Sequence, residues 1–192
     1  MPEPTRAPRI VLGVTGSIAA FRAADLASQL TKAGCIVDVV LTRGGERFIT
    51  ALTLSSLTRQ PVVTEAADPL REGQPVHIWL ADRADLVLVA PASANMIAAA
   101  AHGFAHDELT CTLLATPSET PVAFAPAMNG KMWRHPAVQE NVASLKARGV
   151  EIIGPAEGLL ACGYEGIGRL WPVDEIAARI LERLPSKPDG AD

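Results

Sequence analysis

The 192-residue sequence has few cysteines, few aromatic residues and no excess of positive charge. Its three cysteines, Cys35, Cys111 and Cys162, are odd in number and form no C-x-x-C pair, which argues against a disulfide framework and against a structural zinc site. We therefore expect reduced thiols and no metal. The net charge of −4 has the wrong sign for a chain that gains affinity by neutralising phosphates, so no nucleic acid partner is expected.

The chain also lacks long apolar runs. Its apolar stretches are too short to span a bilayer, and residues 1–7 lack the apolar run of a secretory signal. We expect a cytoplasmic protein with no membrane partner. A length of 192 residues suits a single domain, with a core over about 8–184 and flexible tails at 1–7 and 185–192.

Short apolar runs rich in β-branched residues alternate with segments of helical periodicity. The pattern predicts five main strands, at 9–15, 36–42, 86–90, 121–125 and 150–153, with a minor strand at 61–64 and a surface loop at 65–75. It predicts helices at 18–32, within 45–60, from Ser93 to Gly103, from about Asp107, and at 135–148 and 173–184. Because parallel strands need crossover helices, the alternation predicts an α/β fold, a three-layer doubly wound parallel sheet with ligands at the carboxyl ends of its strands.

The first strand ends in a turn, Gly16-Ser17-Ile18, at a predicted helix start, where free N–H groups favour a phosphate. An alternative of about equal weight is a plain turn glycine followed by an N-cap serine. The segment lacks a P-loop ending and a G-x-G-x-x-G fingerprint. The second strand ends in Thr42-Arg43, where a dinucleotide site would place a carboxylate, so FMN fits better than NAD.

Two later strands end in similar clusters of small and polar residues. In Pro91-Ala92-Ser93-Ala94-Asn95, small residues let the backbone approach a flat ring or a phosphate, although an N-cap explains Ser93 alone. In Pro126-Ala127-Met128-Asn129, with Met132 close behind, the uncharged Asn129 is suited to holding a carboxylate. A turn residue is the alternative for Asn129.

A histidine and a glycine-rich segment are further candidates. His77 follows a polar loop and could act as a base at a cleft rim, although taken alone a surface histidine is the simpler explanation. Trp79 and Trp133 could line a cleft, but packing is the commoner role. Four glycines within 158–168 surround Cys162, which predicts a mobile flap whose thiol can donate a proton.

Together these motifs resemble the flavin-containing cysteine decarboxylase family, and within it the phosphopantothenoylcysteine decarboxylases of coenzyme A biosynthesis. The likeness covers about 9–184 and rests on TGSIAA (15–20), the histidine of VHI (His77), PASAN (91–95), PAMNGKMW (126–133) and LLACGYEGIGR (159–169). It implies a flavodoxin-like, or Rossmann-like, sheet. It also implies FMN-dependent oxidative decarboxylation of 4′-phosphopantothenoylcysteine to 4′-phosphopantetheine, by a homo-oligomer, a trimer or dodecamer, with sites shared between subunits.

The resemblance also implies a role for individual residues. The FMN site would be formed by Gly16, Ser17, Ile18, Thr42, Ser93, Ala94, Asn95, Met96 and Ala127. His77 would be the base, Asn129 would bind the substrate carboxylate with Met132 and Ala161 nearby, and Cys162 would act in the final reduction. Met96 stands where the family usually has threonine, and it cannot donate a side-chain hydrogen bond to the FMN phosphate.

Three rival functions remain open on the sequence. A peptidyl-cysteine decarboxylase would stop at the enethiol and would not need the reducing thiol, so Cys162 favours the coenzyme A reaction. A non-catalytic flavin-binding regulatory subunit would be suggested by long acidic extensions, which are not found in this sequence. A flavin prenyltransferase of related fold would not explain PAMN together with the cysteine segment.

Overall fold

The fold is built around a parallel β-sheet. The structure is a computed structural model that describes residues 6–159, 163 and 165–184. In chain order the strands are β1 (Arg9–Val14), β2 (Ile36–Leu41), β3 (Leu70–Arg71), β4 (Gln74–Pro75), β5 (Leu86–Ala92), β6 (Val122–Pro126), β7 (Glu151–Ile152), β8 (Ala156–Leu159) and β9 (Glu165–Arg169). Five of them pair in parallel in the order β2-β1-β5-β6-β7. This order is that of a flavodoxin-like sheet.

Helices connect the strands. They are α1 (Arg22–Lys32), α2 (Ala51–Thr58), α3 (Val76–Arg83), α4 (Ala94–His102), α5 (Glu108–Ala115), α6 (Gly130–Trp133), α7 (Pro136–Ala147) and α8 (Val173–Leu181). Short 3₁₀ helices at Ile18–Phe21 and Gly45–Arg47 follow the first two strands. The predicted helix at 18–32 therefore exists, but its first turn is wound more tightly than an α-helix.

The two faces of the sheet bury separate apolar clusters. Alternate residues of β1 point to opposite faces, so Ile10 and Leu12 pack in one cluster and Val11 packs in the other. Residues of α1, α2 and α8 complete the first cluster, and residues of α3, α4, α5 and α7 complete the second. The predicted three-layer doubly wound sheet is confirmed.

The ends of the central helices follow the sequence signals. Ser93 caps α4 by accepting the Met96 N–H, and Gly103 ends this helix in the left-handed conformation. Asp107 caps α5 in a reciprocal capping box with Thr110. The predicted start of α4 at Ser93 is confirmed, and α5 begins where a helix was expected from about Asp107.

Three segments differ from the prediction. β5 continues through Pro91 to Ala92 with a register irregularity against β6, whereas we expected it to stop at Pro91. The loop at 65–75 contains the β3-β4 hairpin, and α3 follows it. The segment predicted as a flap contains the antiparallel β8-β9 hairpin. Glycine and proline content hid both hairpins, because it signals turns without showing which strands a turn joins.

Some predictions lie outside these observations. Among the described residues no helix is long and apolar enough to cross a membrane. The tails predicted at 1–7 and 185–192 fall almost wholly outside the described residues, and the single domain over 1–192 stays a prediction.

Candidate active site at the carboxyl ends of the strands

A cavity of about 590 Å³ lies at the carboxyl ends of β1, β5 and β6. Three turns line it, and their residues are Gly16, Ser17 and Ile18 after β1, Ser93 and Ala94 after β5, and Ala127, Met128 and Asn129 after β6. β1 and β5 are neighbours at the point where the strand order reverses, which is where doubly wound sheets bind nucleotides. The volume falls within the range of roughly 300–1,000 Å³ of small-molecule sites.

A buried threonine joins the first two turns. The Thr15 hydroxyl donates to the Pro91 carbonyl oxygen (2.7 Å) and accepts the Ser93 N–H (2.9 Å). Ser93 in turn caps α4. Because Thr15 is almost completely buried, these bonds replace water that the backbone groups would otherwise need. The relative position of the two turns is therefore fixed within the chain.

The turn after β1 also packs closely on the loop after β2. A Cβ atom added at Gly16 would lie 3.2 Å from backbone atoms of Gly44, so glycine permits this approach. Behind it, the Thr42 hydroxyl donates to the Val14 carbonyl oxygen (3.1 Å) and accepts the Gly45 N–H (3.3 Å). Thr42 thus supports the wall of the cavity from behind.

The turn after β6 carries Asn129. The Ala127 N–H donates to the Ala92 carbonyl oxygen (3.1 Å), which aligns this turn with the one after β5. Asn129 is half-buried at the start of α6, where its Oδ1 accepts the Lys131 N–H (2.8 Å). This bond fixes which end of the amide is the acceptor.

The β8-β9 hairpin packs over this last turn. The Met128 N–H donates to the Gly168 carbonyl oxygen (2.9 Å). Gly168 has φ +135°, and a Cβ atom there would lie 2.2 Å from the Met128 carbonyl oxygen. Only glycine allows β9 to come so close. Leu159 and Arg169 of the hairpin line the cavity, so the hairpin forms one of its walls.

Several lining residues were missed by the sequence analysis. They are Phe21, Arg22, Phe48, Leu159, Arg169 and Trp171. Phe21, Phe48 and Leu159 are exposed although they are large and apolar, which is a property only a structure reveals. Trp171 lies three residues after the last glycine of the glycine-rich segment and precedes a helix, and that position was an available signal. These side chains give the cavity apolar walls with two guanidinium groups, and Asp174 adds one carboxylate.

The structure brings most of the predicted site residues together. Eight of them line the cavity: Gly16, Ser17, Ile18, Ser93, Ala94, Ala127, Asn129 and Met132. Three predicted residues do not line it, namely Thr42, Asn95 and Met96. Asn95 is exposed, and the Met96 side chain is buried in the core. Ala161 and Cys162 lie outside the described residues. The roles assigned to these residues stay predictions.

His77 lies elsewhere, on α3, and does not line the cavity. Its Nδ1 is 3.1 Å from Oε2 of Glu108, the first residue of α5. Each of the two side chains is 30% exposed. The candidate base is thus held against a carboxylate and remains accessible from outside the chain.

A cluster of charges anchors the segment before His77. Asp38, completely buried in β2, forms ion pairs with Arg9 and with Arg71 of the β3-β4 hairpin. Arg71 also lies 3.8 Å from the centre of the buried Trp79 ring. The Trp79 indole N–H donates to Glu72, and this bond, aided by nearby guanidinium groups, lowers the pKa of the Glu72 carboxyl. Trp79 therefore packs in the core, as does Trp133.

Fold and site together define an α/β protein of the flavodoxin-like type with a cavity suited to a flavin nucleotide. Two features of the cavity fit a flavin nucleotide. Gly16 and Gly44 approach each other so closely that a side chain at either would crowd the turn, and the apolar walls suit a flat ring. The chain belongs to the Flavoprotein family, whose family model matches residues 1–185. A flavin cofactor is thereby confirmed.

Two relatives show the branch of the family. The chain is 48% identical over 179 residues to a probable phosphopantothenoylcysteine decarboxylase of Streptococcus mutans, covering 92% of this chain and 98% of the relative. It is 44% identical over 180 residues to a bifunctional coenzyme A biosynthesis protein of Vibrio vulnificus, covering 94% of this chain but only 44% of that protein.

Solved structures agree with these relatives. A mutant PPC decarboxylase complexed with pantothenoylaminoethenethiol superposes with a TM-score of 0.82 at 30% identity, covering 92% of this chain and 98% of that one. The FMN-dependent cysteine decarboxylase SpaF gives a TM-score of 0.77 at 31% identity, covering 92% and 97%. The predicted resemblance to the flavin-containing cysteine decarboxylases is confirmed, and so is the prediction that the chain is a decarboxylase.

Proposed function

We propose that this chain catalyses the FMN-dependent oxidative decarboxylation of 4′-phosphopantothenoylcysteine to 4′-phosphopantetheine, in the cytoplasm, as a step of coenzyme A biosynthesis. The observation that carries the proposal is the meeting of three turns in one cavity, where Asn129 lines the same space as Gly16, Ser17 and Ser93. The names of the S. mutans relative and of the solved PPC decarboxylase support the substrate.

FMN would be held by the turns after β1 and β5. When bound, FMN supplies two-electron oxidation of the substrate thiol, and the resulting C=S group delocalises the electron pair that is released with carbon dioxide. Gly16 and Ala127 offer backbone without bulky side chains to the ring, and Ser17 and Ser93 offer hydroxyl groups. The description of SpaF as FMN-dependent supports FMN over other flavins.

Asn129 would hold the carboxylate of the substrate. Its Oδ1 accepts the Lys131 N–H, so the Nδ2 group is the donor end of the amide and can bind a carboxylate oxygen. An uncharged donor orients the carboxylate without stabilising its negative charge strongly. Loss of carbon dioxide from this position is therefore not opposed by a tight ion pair.

Two guanidinium groups in the cavity suit a phosphorylated substrate. Arg22 and Arg169 line the same cavity as Asn129, together with one carboxylate, Asp174, and guanidinium groups bind phosphate with two parallel hydrogen bonds. These guanidinium groups support 4′-phosphopantothenoylcysteine over the peptide substrate of the rival hypothesis. Cys162 would donate its Sγ proton in the last, reducing step, as the family resemblance implies.

His77 requires a second copy of the chain. It would act as the base, yet it does not line the cavity of its own chain. Ile18, Phe21 and Met132 line the cavity and are each about half exposed, which is unusual for large apolar side chains and typical of an interface. We therefore propose a homo-oligomer, a trimer or a dodecamer, in which His77 of one copy completes the site of another.

Turnover by the purified protein tests the proposal. We expect a yellow protein that converts 4′-phosphopantothenoylcysteine to 4′-phosphopantetheine, and a Cys162→Ser variant that still releases carbon dioxide but accumulates the unsaturated thiol. Cys111→Ser is the matched control and should form the saturated product. Release of an enethiol only from a peptide with C-terminal cysteine would establish the rival enzyme, and a yellow protein inactive on both substrates would indicate a regulatory subunit.

A further inference from the structure

The side chain of Glu108 touches the candidate base and has no role in the reaction described so far. Its Oε2 lies 3.1 Å from Nδ1 of His77. An ionised carboxylate can only accept hydrogen bonds, so at this distance the imidazole proton belongs on Nδ1. In the neutral imidazole the other ring nitrogen, Nε2, then carries the lone pair.

Both partners are held by secondary structure and not by flexible loops. Glu108 is the first residue of α5, directly after Asp107, whose carboxylate accepts the Thr110 N–H (2.8 Å) while its own N–H donates to the Thr110 hydroxyl (3.0 Å). A carboxylate in the first turn of a helix is also stabilised by the helix dipole. The position of the acceptor is therefore fixed.

The histidine side of the pair is anchored as well. His77 is the second residue of α3, which packs on α5. The hairpin that leads into α3 is tied to the sheet by the ion pair of Arg71 with the buried Asp38. With both helix starts fixed, the ring of His77 keeps one orientation relative to Glu108.

We propose that Glu108 is the positioning residue for His77: it accepts the Nδ1–H, selects this tautomer, and so presents Nε2 as the proton acceptor of the site. The proposal rests on the proposed function in taking His77 as the base. The alternative tautomer, with the proton on Nε2, would present a hydrogen-bond donor where the reaction needs a proton acceptor. Selection of the tautomer thus decides whether the ring can take up a proton.

Nitrogen-15 NMR of the flavin-bound protein tests the tautomer directly, with the His77 signals assigned by their loss in His77→Asn. We expect the Nδ1–H form in the wild type. In Glu108→Ala the population should move to the Nε2–H form. In Glu108→Gln the amide oxygen can still accept the proton, so the Nδ1–H form should be retained. A wild-type Nε2–H form, or an unchanged tautomer in Glu108→Ala, would overturn the proposal.

Kinetics provide the second measurement. Loss of an orienting partner typically costs about 10- to 100-fold, so Glu108→Ala should lower kcat by such a factor and leave KM nearly unchanged. Glu108→Gln should recover most of that loss, which a purely structural role would not predict. Glu140→Ala, at an exposed position of α7, is the matched control and should behave as wild type. Equal kcat in Glu108→Ala and wild type would contradict the proposal.

The role of His77 as the base and the role of Glu108 as its positioning residue can be refuted separately. Full turnover by His77→Asn would refute the base assigned in the proposed function, whatever the tautomer is. If His77→Asn loses turnover while Glu108→Ala keeps the wild-type tautomer and kcat, only the role of Glu108 is refuted.

Discussion

The two candidate catalytic side chains with described positions, Asn129 and His77, lie in regions held together by different forces. Around Asn129 the turns are joined by neutral hydrogen bonds, such as those of the Thr15 hydroxyl, and by the close approach of Gly168. Around His77 the segment is held by ion pairs, foremost the buried Asp38 with Arg71, and by the contact with Glu108.

This difference separates the two tasks of the site. Neutral contacts at short range fix a cavity of defined shape, which a bound ring and a carboxylate need. Charged contacts fix the orientation of His77, the proposed proton acceptor, which lies outside the cavity of its own chain. The largest stability effects should therefore come from the charges behind His77, and smaller local effects from the turns.

Removal of the buried charge at Asp38 should have the largest effect on stability. In Asp38→Asn the guanidinium groups of Arg9 and Arg71 lose their partner, and breaking a buried pair on one side costs about 3 kcal/mol or more. Denaturant unfolding measures this loss. Asp25→Asn, which breaks an exposed pair with Arg22, is the control and should change the unfolding free energy by less than about 0.5 kcal/mol. Similar losses of unfolding free energy in Asp38→Asn and Asp25→Asn would contradict the stabilising role given to the buried charge of Asp38.

Gly168→Ala should open the contact between the hairpin and the turn after β6. The added Cβ atom would clash with the Met128 carbonyl oxygen at a backbone conformation that side chains rarely adopt, a cost of about 2 to 3 kcal/mol. Hydrogen exchange of the Met128 amide should accelerate accordingly. Gly149→Ala also has positive φ but no atom within 4 Å of the new Cβ, so it should cost only about 1 kcal/mol. An unchanged Met128 amide would refute the close approach.

Thr15→Val should loosen the link between the first two turns. The substitution keeps the shape but leaves the Pro91 carbonyl and the Ser93 N–H without their partner, which costs about 2 kcal/mol. We expect lower unfolding free energy and weaker flavin retention on dilution. In the control Thr31→Val, the lost bond goes to the Ala27 carbonyl within a helix, and the cost should stay below about 1 kcal/mol. Full flavin retention by Thr15→Val would show that the link does not shape the site.

The smallest effect concerns Cys111, which lies beside the His77 region on α5. Burial, and then the carboxylates of Glu108 and Asp107, raise the pKa of the Cys111 thiol. A raised pKa leaves less thiolate at a given pH, so alkylation by iodoacetamide should be slow at neutral pH and should speed up only in more alkaline solution. Glu108→Gln should shift the pH profile toward neutral pH, so that alkylation at neutral pH becomes a few-fold faster, as measured by mass spectrometry. Glu140→Gln should leave the rate unchanged. Identical profiles for Glu108→Gln and wild type would contradict the electrostatic cause.

The sequence was sufficient for the sheet and for most of the cavity, for a physical reason. Strands and helices have local periodicities, and the carboxyl ends of parallel strands meet at one edge, so residues that follow three strands could be placed together from their order alone. Ser93 was identified as a helix start because capping is also a local interaction.

Long-range contacts could not be predicted in this way. The pair of His77 and Glu108 joins residues 31 positions apart, and Asp38 meets Arg71 across 33 positions, so no local pattern marks either one. The exposure of Phe21 and Phe48 was hidden because periodicity alone assigns large apolar residues to a core. Met96 illustrates the converse, since its place in a site motif does not reveal that its side chain points into the core.

Subunit complementation tests the central claim most directly, because it asks whether Asn129 and His77 act from different copies. His77→Asn and Asn129→Ala should each lose at least about 100-fold in turnover. When the two variants are co-expressed with different tags and the mixed oligomers are purified, random pairing around a closed ring should restore about one quarter of the sites. Mixed oligomers no more active than the single variants would contradict the shared site.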